Sequence, residues 1–298
     1  MDSKFKNGFV TEYEKGYSQK RLKNIKNPII IQGFPGIGNI GKMTVDYLIE
    51  KNKAKKIMSI YSSYIANTVI IDKDNLIKML AIKIYHTEIN KKNFLFISGD
   101  TQPLNKYYSY LTAENIVNIV KETEPQLIMT LGGIGLTNAV DDARVFITTT
   151  DKKYLKEFDT FIIHEPKANK SGKKSAKPKK KTKKKLTKNN LNVSLFGYVG
   201  PIIGLTGLVT AISGLYNIPN VVLLTETLSD PFHFGINESK KILSLLSEKY
   251  NLNVNLKTYE KEFKDKLGIK KIPSSRETKN NIMPLPPQPK FNETSYIG

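Results

Sequence analysis

The chain has 298 residues, 39% of them hydrophobic, a net charge of +20 and no cysteine. Disulfides and thiol chemistry are excluded, the three histidines (His86, His164, His233) lack paired metal-ligand spacing, and no apolar run reaches the length of a membrane span. With no apolar leader in MDSKFKNGFV, the expectation is a soluble cytoplasmic protein with no membrane contact and no metal or cofactor.

Residues 1–27 are basic and polar and read as a lead-in or an edge element. The run Ile29-Ile30-Ile31, bounded by Pro28 and Gly33, reads as a buried strand over 28–32. Ile40, Met43, Tyr47 and Leu48 then recur at helical spacing, which predicts a helix over 39–51. Between them lies GFPGIGNIGK, in the strand–turn–helix setting that phosphate-binding loops use.

Two nucleotide templates fit it incompletely. Gly36, Gly38 and Gly41 spell G-x-G-x-x-G, but the next strand, Ile57 to Ser63, ends without the carboxylate that would hold a ribose. Gly36 to Lys42 spells G-x-x-x-x-G-K, but Met43 stands where a magnesium-binding hydroxyl is required, and Thr44 is about 100° further round the helix. Phe94 to Asp100 could pass for the partner Walker B strand, yet Gly99 makes it read as a strand ending in a turn. The plain alternative is that these glycines allow a sharp turn and close strand–helix packing.

Further strands are predicted at 57–63, 67–71, 78–86, 94–98, 127–131, 144–149, 160–164, 193–197 and 220–225, and helices at 106–122, 205–216 and 237–250. The last presents Ile242, Leu245, Leu246 and Tyr250 on one face, with Asn237 as its expected cap. Strands alternating with helices predict an α/β sheet covered on both faces, and the adjacent strands from 57 to 86 suggest an antiparallel meander that makes the sheet mixed. The expected α/β core spans 28–267.

A Lys-rich insertion, 166–190, interrupts that core. From Lys167 to Lys188 it carries twelve lysines and no acid; removing twelve charges from +20 leaves +8. Almost nothing in it is apolar, so it reads as a disordered surface loop with either no role or weak, non-specific polyanion affinity. No aromatic residue in it offers base stacking. Residues 268–298 hold five of the 14 prolines and read as an extended tail, ending in Tyr296-Ile297-Gly298, which either frays or docks.

Three more glycine turns follow predicted strands: Ser98 to Pro103, Leu131 to Gly135, and Gly200 to Leu208. Together with the first they would line one rim of the sheet, where open α/β folds bind ligands. Gly36, Gly38, Gly133, Gly204 and Thr206 are the candidate ligand rim. Asp100, the adjacent pair Asp141-Asp142, Thr206 and Glu226 are the residues on this rim that could serve catalysis. None has a spacing that chemistry demands, Asp141 and Asp142 would face opposite ways on a strand, and Glu226 reads as a cap for the turn at Pro231. No catalytic residue is assigned.

GFPGIGNIGKMTVDYLIE, SGDTQP, GGIG, GPIIGLTGLVT and LLTET, in that order over roughly 28–255, resemble the proteasome assembly chaperone family in its prokaryotic-type branch. The resemblance implies a mixed α/β fold related to nucleoside-phosphorylase and hydrolase-like sheets. It implies a homo-oligomer without established catalysis that binds proteasome α-subunits. Some members insert a C-terminal hydrophobic-Tyr-any tripeptide between α-subunits. Here Tyr296 is third from the end rather than second, an offset of about 3.3 Å in an extended tail. The Lys-rich insertion is outside the resemblance.

Overall fold

A computed structural model describes residues 4–103, 105–163, 193–195 and 200–266. The Lys-rich insertion and the C-terminal tail, with His164, Lys167 to Lys188 and Tyr296 to Gly298, lie outside the described residues. The chain divides into two compact units after Glu260, and the first holds all the strands.

In chain order the elements are β1 (Phe9–Tyr13), α1 (Gln19–Lys23), β2 (Ile29–Gly33), α2 (Ile40–Lys51), β3 (Lys55–Ser62), β4 (Val69–Ile71), β5 (Ile77–Met79), β6 (Ile82–Ile89), β7 (Lys92–Gly99), α3 (Lys106–Lys121), β8 (Leu127–Leu136), β9 (Val145–Thr148), β10 (Ile162–Ile163), β11 (Val193–Leu195), α4 (Leu205–Leu215), β12 (Asn220–Leu228), α5 (Ile236–Tyr250) and α6 (Tyr259–Lys266). Ten strands form one mixed sheet in the order β1-β3-β6-β7-β2-β8-β12-β9-β11-β10. Its centre, β7-β2-β8-β12, is parallel, and antiparallel strands flank it on both sides.

The centre is parallel because helices such as α3, between β7 and β8, are crossovers that carry the chain back across a face. Both faces of β2 are therefore covered and all five of its residues are buried, which is why its sequence is a continuous apolar run. One face packs Ile30, Leu95, Ile97 and Ile128 with Ile116 and Val117 of α3 and Val209 of α4 in a single core. α2 and α5 pack together and carry the buried residues Met43, Leu48, Ile242, Leu245 and Leu246.

Most predicted elements form, with informative differences. The predicted strand 78–86 is two strands, because β4 and β5 leave the main sheet and pair only with each other. The lead-in supplies an edge strand, β1, antiparallel to β3. GGIG is not a turn: β8 runs through it to Leu136, in parallel register with β12 throughout. Asn237 is not the cap of α5. Gly235 holds that position, its N–H donating to the Gly38 carbonyl at 2.8 Å, so the contact with the first loop fixes where the helix begins.

Candidate functional site

The four central parallel strands, β7, β2, β8 and β12, end on one rim, and GFPGIGNIGK is laid across it. Residues 37–39 form a single 3-10 turn, with Gly38 at φ +62°, before α2 starts. The loop lies flat on the ends of β8 and β12. A Cβ on Gly133 would come 2.5 Å from the Ile37 carbonyl oxygen, and one on Gly38 would come 2.8 Å from Thr227 Oγ1. Likewise a Cβ on Gly41 would sit 2.5 Å from the Leu131 carbonyl oxygen. The glycines of two separate motifs thus permit one close layer contact, and GGIG stays extended because no side chain fits beneath the loop.

The residues that suggested a P-loop are engaged elsewhere. Lys42 pairs with Asp46 at 2.9 Å and donates to Ser98 Oγ at 3.3 Å. Met43 is a buried core residue, and Thr44 is also buried. Asp100 takes the Lys83 ammonium at 2.8 Å and the Ala81 N–H at 3.0 Å, tying β6 to β7.

The residue that joins the candidate rim is Gln102, which the sequence marks only as part of SGDTQP and not as a site residue. Its Nε2 donates to the Pro35 carbonyl, and its Oε1 accepts the Leu205 N–H at 2.9 Å at the start of α4. Gly204, at φ +82°, lets this amide approach: a Cβ there would come 2.7 Å from Oε1. Gly36 lies on the opposite side of the same amide, its would-be Cβ 3.8 Å from Nε2. Gly36 and Gly204 are therefore brought together, with the Gln102 side chain between them. Thr206 faces β8, its Oγ1 3.4 Å from the Leu131 carbonyl and its own carbonyl accepting from Thr130.

Beside the loop a cleft of about 500 Å³ opens, lined by Pro35, Gly36, Asn39, Ser229, Asp230 and His233 among others. The Asn39 Oδ1 atom is enclosed without a hydrogen-bond partner. His233 Nε2 lies 3.1 Å from Glu238 Oε1, which also accepts from Thr227 Oγ1 at 3.1 Å. Burial pushes the Glu238 carboxyl up, but the His233 and Thr227 hydrogen bonds outweigh it and hold it below the ordinary value. Gly133, Gly204 and Thr206 do not line this cleft.

Of the candidate carboxylates, Glu226 and Asp142, like Asp100, are held by basic partners. Glu226 is not a turn cap but a buried residue inside β12. It accepts the Arg144 backbone N–H at 2.9 Å and pairs with the Arg144 guanidinium, pinning the start of β9. Burial raises its pKa and the Arg144 contacts more than reverse that. Asp141 and Asp142 lie in a bend rather than a strand, and Asp142 pairs with Lys241. Among the described residues no His, Asp and Glu cluster could hold a metal ion. No helix among them is long and apolar enough to cross a membrane.

Among the described residues, the segments that follow the strand ends carry exposed large apolar side chains: Ile37 after β2, the β4–β5 hairpin after β3, Tyr107 and Tyr110 after β7, Val140 after β8 and Phe232 after β12, with Ile203 just before α4. Other exposed large apolar side chains among the described residues are Tyr108 in α3 and Leu215 and Tyr216 at the C-terminal end of α4. Exposed apolar surface concentrated on one side marks a face that meets other macromolecules.

The family model for the PAC2 family matches residues 30–265. A Methanocaldococcus jannaschii protein, MJ1210, itself described as uncharacterized, is 25% identical over 283 residues, covering 94% of this chain and 95% of its own. Among solved structures, Pyrococcus furiosus PbaB, described as an archaeal proteasome activator, superposes with a TM-score of 0.68 and 21% identity, over 88% of this chain and 97% of its own. Pyrococcus furiosus PbaA, described as an archaeal homolog of proteasome-assembly chaperone, gives 0.63 and 19%, over 88% and 89%. At these identities the two structures establish the shared fold.

Proposed function

The chain belongs to the PAC2 family, and from that premise we propose that it is a non-catalytic proteasome assembly or activation factor. It binds proteasome α-subunits, self-associates, and acts by presenting a surface rather than by turning over a substrate. The observation that carries this reading is the apolar rim. A small-molecule site encloses its apolar lining in a concave pocket with a few converging polar groups, whereas here Ile203 and Phe232, beside the strand ends, are 85% and 76% exposed. The two Pyrococcus proteins of the same fold, one a proteasome activator and one a homolog of an assembly chaperone, support the choice of partner. The C-terminal Tyr296-Ile297-Gly298 is the second element of the proposal, a tail end that reaches the α-subunits.

Affinity capture from native lysate with the full chain tests it. Proteasome α-subunits are expected as the enriched partners, and a chain lacking Tyr296 to Gly298 should retain fewer of them. Capture without α-subunits refutes the reading. Equal capture by the truncated chain assigns binding to the folded rim alone.

A second reading rests on the cleft beside Gly36 and Gly38 and the unpartnered Asn39 Oδ1 within the loop. It is a ligand rim for a small phosphorylated or nucleotide-like molecule. A thermal-shift screen of nucleotides and phosphorylated metabolites should raise the melting temperature with at least one; no shift across the set removes this reading.

A further inference from the structure

Three segments far apart in sequence meet beside the start of α3: residues 4–9 at the entry to β1, 63–67 after β3, and 105–110. A run of ring contacts joins them. Phe9 meets Tyr64 edge-on with centroids 5.2 Å apart, and Tyr64 lies nearly parallel to Tyr108, at 4.7 Å and 11°. Tyr107 follows, tilted, 5.8 Å from Tyr108. The Tyr64 hydroxyl donates to the Asn7 carbonyl at 3.0 Å, and its ring lies so close to Gly8, at φ +80°, that no Cβ fits there. One side of this aromatic platform is therefore anchored on backbone. The other side is open: Tyr107, Tyr108 and Tyr110 are 63%, 38% and 58% exposed, and the large apolar side chains these segments expose are all tyrosine.

The same three segments hold Lys4, Lys6 and Lys106 and no aspartate or glutamate. All three lysines are exposed, and none pairs with an acid among the described residues. Lys106 is the first residue of α3, whose first turn contains no acid. A cation at a helix N-terminus opposes the macrodipole, so Lys106 does nothing for its own helix and stands available to an anion outside it.

We propose that this surface binds single-stranded nucleic acid, with bases stacked on Tyr107 and Tyr110 and phosphates held by Lys4, Lys6 and Lys106. The proposal goes beyond the proteasome reading and does not rest on it. A single strand supplies both things the surface lacks, planar faces for the open rings and negative charge for the unpaired lysines. Tyr107 and Tyr110, three residues apart on α3, are neighbours on one helix face with Cβ atoms about 5–6 Å apart, so one strand reaches both. A duplex brings the charge with its base faces already stacked inside, and an acidic peptide brings charge without a matching series of rings. The Lys-rich insertion has no aromatic residue, so any affinity it adds is for phosphate alone and does not depend on bases.

The test measures fluorescence anisotropy of a labelled oligothymidylate of about fifteen nucleotides with the full chain, beside an abasic strand of the same length and charge. The wild type should bind the oligothymidylate about tenfold or more tightly than the abasic strand. Tyr107→Ala combined with Tyr110→Ala should lose about tenfold or more on the oligothymidylate and nothing on the abasic strand, with an unchanged melting temperature. Tyr107→Phe combined with Tyr110→Phe keeps both rings and should bind as the wild type does. Lys106→Ala should weaken binding to both strands and flatten the plot of log affinity against log salt by about 0.7. The proposal is overturned if the wild type does not bind the oligothymidylate at about 50 mM salt, or binds the abasic strand equally well. Unchanged affinity in the double alanine variant overturns it too, as does polyglutamate that displaces the oligothymidylate as effectively as unlabelled strand at equal charge, which assigns the surface to an acidic protein instead.

Discussion

Replacing Gln102 with alanine tests whether the glycine motifs form a braced joint. The side chain holds two backbone groups from different parts of the fold, the Pro35 carbonyl of the first loop and the Leu205 N–H at the start of α4. Leu205 is fully buried, so its N–H gains little from water once the amide is removed. Losing the partner of a helix N-terminal donor costs about 1 kcal/mol, and leaving a buried polar group unpaired costs about 1–3 kcal/mol. Gln102 itself is half-buried, and water will reach the Pro35 side, so the lower end applies. The expected loss is about 2 kcal/mol, or about 4–8 °C in Tm for a domain of this size. Gln102→Glu should lose less. It keeps an acceptor for Leu205 and places a negative charge at a helix N-terminus, worth about 0.3–1 kcal/mol, though it gives up the donor to Pro35. Urea unfolding with linear extrapolation measures both. If Gln102→Ala lies within about 0.5 kcal/mol of wild type, at the level of an ordinary surface change, the joint is not what holds the loop and this reasoning fails.

Four further outcomes are expected. Gly38→Ala puts a Cβ at φ +62° and 2.8 Å from Thr227 Oγ1, so it should cost about 1–2 kcal/mol for the backbone alone and more from the contact, seen as a lower urea midpoint; a midpoint equal to wild type would contradict the close layering of loop on sheet. Glu226→Ala strands the Arg144 N–H, but Arg144 is 62% exposed and its guanidinium resolvates, so the loss should stay near 2 kcal/mol rather than reach the 3–5 kcal/mol of a fully buried pair; a double-mutant cycle with Arg144→Ala isolates the coupling. Because Glu238 and Glu226 are held below the ordinary carboxylate value when folded, their contribution is present above about pH 4.3 and is lost as the pH falls through their folded values. His233→Ala should therefore move the acid-unfolding midpoint to higher pH, and an unmoved midpoint would remove the His233–Glu238 contact from the acid response. Weak polyanion binding by Lys167 to Lys188 should fall steeply with salt and vanish when 166–190 are deleted; binding that survives the deletion refutes the role of the insertion.

Central strands were legible in the sequence because both faces are covered: Ile29 to Ile31 had to be continuously apolar whatever the topology. Helix periodicity fixed α2, α3, α4 and α5 to within about two residues for the same reason, that one face must be buried. The glycine motifs could be found but not read. Glycine marks a close approach without saying to what, and GGIG looked like a turn because the object above it, the Ile37 carbonyl, comes from a segment nearly one hundred residues earlier. Glu226 was misplaced in role for a related cause: its partner Arg144 is 82 residues away in the chain. Gln102 left no local signal, since a glutamine in a turn is unremarkable until the fold sets Pro35 and Leu205 on its two sides. Composition and periodicity alone thus determined the class of fold, its buried strands and helices and the basic balance of the chain, because burial acts on each segment separately. Which glycines meet, which carboxylate braces an arginine and which apolar hairpin is left facing water were decided only by the tertiary structure, because each depends on contacts between segments distant in sequence.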